Sequence, residues 1–238
     1  KALIINDLEE IKPEDSSFIF NRFLEILRHN VVSDKGNAFN RIFTLFLCKI
    51  YDEKDKEDTN EELEFQWFES PFTYEGVYYE KDNHVSFQIR LTDLYKKGMK
   101  AFLEKNVTDF SESEFNNRYS FLTEEQRNPI LTEFRKIRLE KQNEFAIKDV
   151  YDKDSFEENA VVVKEIVELL QNFKIRYTKK QQYLSDFFEL LLTTGLKQES
   201  GQFFTPVPIA QFVIKSLPLD TIIEKKLQEG ERGEYLPY

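Results

Sequence analysis

Two histidines, one cysteine, one methionine and one tryptophan are all that 238 residues hold of these types. A lone Cys48 excludes a disulfide within the chain and a cysteine-built metal site. It sits in an apolar helical run, so it reads as a small buried hydrophobe in a reducing, cytoplasmic compartment. Glycine and proline number only seven each. A glycine-rich phosphate-binding core uses more glycine at its turns, and an all-β chain uses more of both. No apolar run approaches the ~18 residues that span a bilayer, and no signal-peptide pattern opens at Lys1, so no membrane partner is expected. The GxxxxGK[ST], GxGxxG, HExxH and CxxC patterns are absent. Of the histidines, His29 ends a predicted helix, where a cation complements the helix dipole.

Phenylalanine is abundant instead, at 23 residues, with 11 tyrosines. That much aromatic surface must be buried, which predicts a sizeable core. Forty per cent hydrophobic and 32% charged residues make a globular composition, and the shortage of glycine and proline points to a mainly α fold. The net charge is −11, which opposes tight binding of a nucleic-acid backbone by this chain alone. Residues 52–69 carry nine acids and two lysines, a net of −7, leaving −4 for everything else. The run 52–64 is read as a solvated loop rather than a metal site, because it lacks the fixed spacing of a calcium loop. Basic faces elsewhere remain open. Arg135, Lys136, Arg138 and Lys141 cluster on one predicted helix, and Lys174, Arg176, Lys179 and Lys180 form a second group without an acid.

Helical spacing recurs along the chain. Pro13-Glu14-Asp15-Ser16 opens a helix with Phe20, Phe23, Leu24 and Leu27 on one face. Asn37 is read as the cap of the next helix, which is apolar on most sides and hence central in a bundle. Residues 72–79 fit a short extended piece or an irregular loop. A further helix is predicted from about Val85 to Lys105, and short helices over the polar stretch 106–128. Pro129 suits a first helical turn, followed by Ile130, Phe134 and Ile137. Phe145–Val150 reads as a short strand or extended link. Ser155 with Glu158 matches a capping box before Val162, Ile166, Leu169 and Phe173. Leu184, Phe187, Phe188, Leu191 and Leu192 form another helical face, which Gly195 terminates. Thr205-Pro206 would cap a helix ended by Pro218, and Asp220 would cap a last one reaching about Gln228.

The unusual element is Gly201-Gln202-Phe203-Phe204-Thr205-Pro206. Glycine permits close backbone approach, two aromatics offer a stacking surface, and a capped helix start presents free N–H groups. That set suits a ligand bearing adenine and a carboxylate. The same residues also fit a plain loop whose phenylalanines pack into the core.

Gln181-Gln-Tyr-Leu-Ser-Asp-Phe-Phe-Glu189, then Gly201-Gln-Phe-Phe-Thr-Pro206, then Ile209-Ala-Gln-Phe-Val213 resemble the methylation subunit of type I restriction-modification systems. These are N6-adenine DNA methyltransferases. Asn37-Ala-Phe-Asn-Arg-Ile-Phe43, Cys48-Lys-Ile-Tyr-Asp-Glu53 and Leu94-Tyr-Lys-Lys-Gly-Met99 resemble that family's helical N-terminal region. The likeness covers most of the chain, and its specific part is the GQFFTP segment. It implies a helical-bundle N-terminal domain over residues 1–177. Residues 178–238 would be a helical lead-in ending just before a Rossmann-like methyltransferase domain that is not in this chain. It gives Gln202, Phe203, Phe204, Thr205 and Pro206 a role in binding S-adenosylmethionine. It also implies DNA as a partner through an assembled complex with a specificity subunit and a restriction subunit. Lys174, Arg176, Lys179 and Lys180 are the candidate DNA contacts.

The sequence departs from the family in three ways, one being that the glycine-bearing acidic cofactor loop expected just after Tyr238 is absent. Val207 stands where the motif usually has arginine. The Asn/Asp-Pro-Pro-Tyr/Phe motif that grips a flipped adenine is missing, and Asn128-Pro129-Ile130 is not it. No catalytic residue is therefore assigned. The chain starts without Met and stops on Leu236-Pro237-Tyr238, so it is expected to be an excised fragment, inactive alone. Two other readings stay open: a non-enzymatic helical interaction module, and the methylase part of a single-chain restriction-modification enzyme.

Overall fold

The computed structural model describes residues 2–107, 112–176, 216 and 219–231, and it is mainly helical. The helices are α1 (Pro13–His29), α2 (Lys35–Asp55), α3 (His84–Leu103), α4 (Glu112–Arg118), α5 (Glu124–Leu139), α6 (Lys153–Leu170) and α7 (Leu219–Glu231). Two small sheets accompany them. β1 (Glu9–Glu10) runs parallel to β4 (Phe173–Lys174), with Glu9 opposite Phe173 and Glu10 opposite Lys174. β2 (Phe72–Tyr74) and β3 (Val77–Tyr79) form an antiparallel hairpin that pairs Thr73 with Tyr78.

The helix starts follow from short polar side chains. Asp34 caps α2 by accepting from the Asn37 amide at 2.8 Å, so Asn37 lies inside the helix rather than capping it. Asn83 caps α3 through the Val85 and Ser86 amides. Asp152 caps α6 by accepting from the Ser155 amide at 2.9 Å, and Ser155 Oγ accepts from the Asp152 amide in return. The box is therefore Asp152/Ser155, not Ser155/Glu158, because the aspartate one turn earlier reaches the free N–H groups first.

α2 and α3 pack closely. Gly98 of α3 lies against Leu47 of α2, and a Cβ there would sit 3.1 Å from the leucine side chain and 3.3 Å from its carbonyl oxygen. The main core draws Phe23 from α1, Phe39 and Phe46 from α2, Phe87 and Leu91 from α3, and Val163 and Val167 from α6. Phe23 and Phe39 meet edge to face at 5.4 Å. A smaller cluster of Ile89, Leu139, Phe156 and Ala160 joins α3, α5 and α6. Cys48 is fully buried and its Sγ contacts the Leu91 carbonyl at 3.3 Å. Burial, aided by Asp52, pushes its thiol pKa well above the ordinary value, so it is a poor nucleophile.

Other sequence expectations change or narrow as well. The acidic run is not all solvated loop. α2 continues to Asp55, and Asp52 and Glu53 are buried because each carboxylate accepts from backbone amides and pairs with a lysine one turn away. α5 begins at Glu124, so Pro129 lies inside it rather than in its first turn. Its inward face is Arg135 and Leu139, leaving Phe134 and Ile137 exposed, because Arg135 reaches across to Asp93 of α3. Residues 145–150 form no strand. They are an irregular link pinned by Asn159, whose Oδ1 accepts from the Ile147 and Lys148 amides and whose Nδ2 donates to the Phe145 carbonyl. The expected α1 and α3 form, and the ambiguous 72–79 stretch is the β2–β3 hairpin. The helices predicted over residues 184–195 and 205–215 lie outside the described residues.

Candidate functional site

The C-terminal turn of α2 holds the chain where it leaves α6. Glu53 is 1% exposed, and its carboxylate accepts from the Ile175 amide at 3.1 Å and the Arg176 amide at 2.6 Å. The charge is balanced by Lys49, equally buried, at 3.0 Å. Lys49 also donates to the Gln171 carbonyl and lies over the Phe65 ring. Gln171 in turn accepts from the Trp67 amide at 3.1 Å. A buried carboxylate with this many donors is a positioning device. It fixes the path of residues 173–176, directly before the stretch that carries the sequence-predicted site.

The preceding residue, Asp52, accepts from the Phe65 amide and pairs with Lys56 at 2.7 Å. Burial opposes the Lys56 ammonium, but Asp52 and Glu64 outweigh it and raise its pKa. Asp82 plays the same part at the start of α3. It takes both guanidinium nitrogens of Arg90 at 2.6 Å, the Phe68 amide at 2.8 Å and the Ser86 hydroxyl at 2.8 Å. Arg90 is the largest fully buried side chain, with its guanidinium over Phe68 and Phe72.

The sequence-predicted DNA contacts fare unequally. Arg176 turns its guanidinium to Glu57, and Lys174 is half-buried in β4 opposite Glu10. Lys179 and Lys180 lie outside the described residues, as do Gln202, Phe203, Phe204, Thr205 and Pro206. In the other basic cluster, Arg135 is 5% exposed and bound by Asp93, while Arg138 pairs with Glu144. Lys136 approaches Glu133 at 3.7 Å, and Lys141 donates to the Tyr151 carbonyl. The arginines of both clusters thus already hold carboxylates, and spacing in the sequence could not reveal those partners.

Sequence reasoning also missed a groove of about 770 Å³ where the hairpin, α3, α5 and α6 meet. Trp67 and His84 form its aromatic wall with ring centroids 5.6 Å apart, and Lys164 covers the indole at 4.2 Å. Burial pushes the His84 pKa below its ordinary value; Glu157 opposes this and Lys164 adds to it. The imidazole Nδ1 is buried without a hydrogen-bond partner. Lys81, Lys136, Lys153 and Lys164 line it with Glu69, Glu133 and Glu157, while its fourth acid, Asp82, is already held by Arg90. Among the described residues no group of three His, Cys, Asp or Glu side chains is placed to hold a metal ion, and no helix is long and apolar enough to cross a membrane. No protein-family model, curated protein or solved structure matches the chain.

Proposed function

We propose that this chain is the N-terminal part of a site-specific adenine-N6 DNA methyltransferase subunit of a restriction-modification system, working in the cytoplasm. The observation that carries the reading is the segment Gly201-Gln202-Phe203-Phe204-Thr205-Pro206 with its flanking stretches, which resemble that family. A mainly helical body preceding the segment is compatible with it. In this reading Gln202 to Pro206 line the cofactor side of an S-adenosylmethionine site. The two phenylalanines bracket the adenine, and the helix start meets the carboxylate. The target adenine would be gripped by residues beyond Tyr238. DNA, a specificity subunit and a restriction subunit are the expected partners. With the arginines of both basic clusters already paired, phosphate contact by this part would fall to lysines such as Lys174, Lys179 and Lys180.

The test has two arms. Residues 1–238 alone should transfer no methyl group from labelled S-adenosylmethionine to DNA; transfer would refute the claim that this part is inactive by itself. In the parent chain, Phe203→Ala with Phe204→Ala should weaken cofactor binding at least tenfold by calorimetry; unchanged binding would return the pair to the core. A second reading, a helical interaction module without methyltransferase activity, is favoured by the amphipathic groove between α1 and α6. A downstream sequence lacking Asn-Pro-Pro-Tyr would decide for it.

A further inference from the structure

α1 and α6 pack side by side and leave an open groove of about 760 Å³ along their outer edge. Its floor is apolar, made by Ile26, Leu169 and Phe173. Phe18 lines it with 54% of its surface exposed. The α1 wall repeats at helical spacing through Phe18, Arg22, Glu25, Ile26 and His29. The α6 wall does so through Glu165, Glu168 and Leu169. A three-turn ridge of α1 beside one turn of α6, with apolar side chains between them, is a surface against which a third helix packs. From Phe18 to His29 the α1 wall runs about 16 Å, or three helical turns, at ~1.5 Å per residue.

The rim is predominantly acidic. Asp7, Glu9, Glu25, Glu165 and Glu168 line the groove, against the guanidinium of Arg22 and the His29 imidazole. Arg22 and Glu25 cancel each other, Asp7 accepts from the Ile4 amide, and Lys164 approaches Glu168 at 3.7 Å from the flank, so the acidity of the groove comes from Glu9, Glu165 and Glu168. Glu165 accepts from the neutral Asn30 amide, a hydrogen bond that leaves its charge uncancelled. An anionic rim around an apolar floor repels nucleic acid and favours a cationic, amphipathic occupant.

We propose that the α1–α6 groove docks an amphipathic helix of about three turns from a partner protein, with aliphatic side chains against Phe18 and Leu169 and lysine or arginine on its flanks. The proposal is independent of the methyltransferase reading, which rests on residues 181–213. The occupant binds through burial of the exposed Phe18 ring and through charge across the rim, so both terms must register separately.

The full chain is titrated with a labelled 14-residue peptide carrying leucine at i, i+3, i+4 and i+7 and lysine elsewhere, read by fluorescence anisotropy. The same peptide with glutamate in place of lysine is the control. The lysine peptide should bind and the glutamate peptide should not. Glu9→Lys with Glu168→Lys should weaken binding about tenfold and flatten its salt dependence. Phe18→Ser should weaken it about fivefold at both low and high salt, because that term is apolar. All the substituted groups are exposed or half-buried, and thermal melts of each variant confirm folding. Glu125→Lys with Glu133→Lys on α5, outside the groove, should change binding less than twofold. Equal weakening by the α5 pair would reduce the effect to overall charge and overturn the proposal. Absent binding, or binding indifferent to the groove substitutions, would do the same. If sedimentation shows that the chain self-associates and that Phe18→Ser abolishes this, the occupant is a second copy and the proposed partner helix is wrong.

Discussion

Two groups of carboxylates in this chain look alike on paper and behave oppositely in the fold. Asp52, Glu53 and Asp82 are at most 3% exposed, and each accepts from a backbone amide while holding a buried lysine or arginine. Glu9 and Glu25 of the α1–α6 groove are exposed, and Glu168 there is only half-buried. The first group is structural: removing a partner strands a charge in a low-dielectric interior. The second group is a surface field, costly to nothing when altered and informative only to whatever approaches. Acidic character in a sequence therefore says little until each carboxylate's donors are known.

The comparison breaks most sharply at Asp82. Asp82→Ala leaves the Arg90 guanidinium without a counter-charge and the Phe68 amide without an acceptor. The expected loss is about 3–5 kcal/mol, measured as a shift in the urea midpoint at unchanged slope. A loss below about 1 kcal/mol would mean that Arg90 escapes to solvent and that the pair is not buried in solution. Glu53→Gln comes next. The new amide keeps one acceptor for the Ile175 and Arg176 amides but leaves Lys49 uncompensated, for a cost of about 3 kcal/mol. Hydrogen exchange at the Ile175 and Arg176 amides should accelerate more than exchange in α1. Uniform acceleration would show that Glu53 supports the whole fold rather than the exit of the chain.

How much of this was legible in the sequence depends on which physical term decides each residue. The helix faces of α1 and α3 follow from apolar spacing alone, and both helices form where that spacing predicts. The caps of α2 and α6 lie three residues earlier than expected because Asp34 and Asp152 accept from the Asn37 and Ser155 amides and so draw those residues into the helix, and pattern does not rank the competing caps. The inward face of α5 was misjudged because one long-range pair, Arg135 to Asp93, turns the helix against its own apolar stripe. Burial of Asp52 and Glu53 needed knowledge of Phe65, Ile175 and Arg176, up to 123 positions away in the chain. For the candidate site the balance reverses. The GQFFTP segment stands out in the sequence and lies outside the described residues, whereas the two grooves emerge only from the fold.

His84 sharpens the comparison, two residues from Asp82. Donors surround the buried acids, while His84 Nδ1 has no partner and burial disfavours its charged form. Folding lowers its pKa below 6.5, so the folded chain binds fewer protons than the unfolded chain as pH falls through that value. The stability tied to His84 is complete above pH 6.5 and declines below it. His84→Gln should flatten the stability profile between about pH 7 and pH 5.5. An unchanged slope would assign that dependence to other groups.

The smallest effect is expected at the exposed rim of the α1–α6 groove. Reversing Glu9 and Glu168 together changes two units of charge each at rim positions, of which Glu168 has Lys164 at 3.7 Å. Exposed pairs of this kind contribute roughly 0.2–1 kcal/mol, and relief of repulsion around the rim offsets their loss. The double variant should therefore melt within about 0.5 kcal/mol of the parent chain, and could be slightly more stable at low salt. A loss near that of Glu53→Gln would place these carboxylates among the structural ones. It would also remove the ground for treating the groove as a surface held ready for a partner, because a fold that needs its rim acids for its own stability cannot be said to keep them for something else.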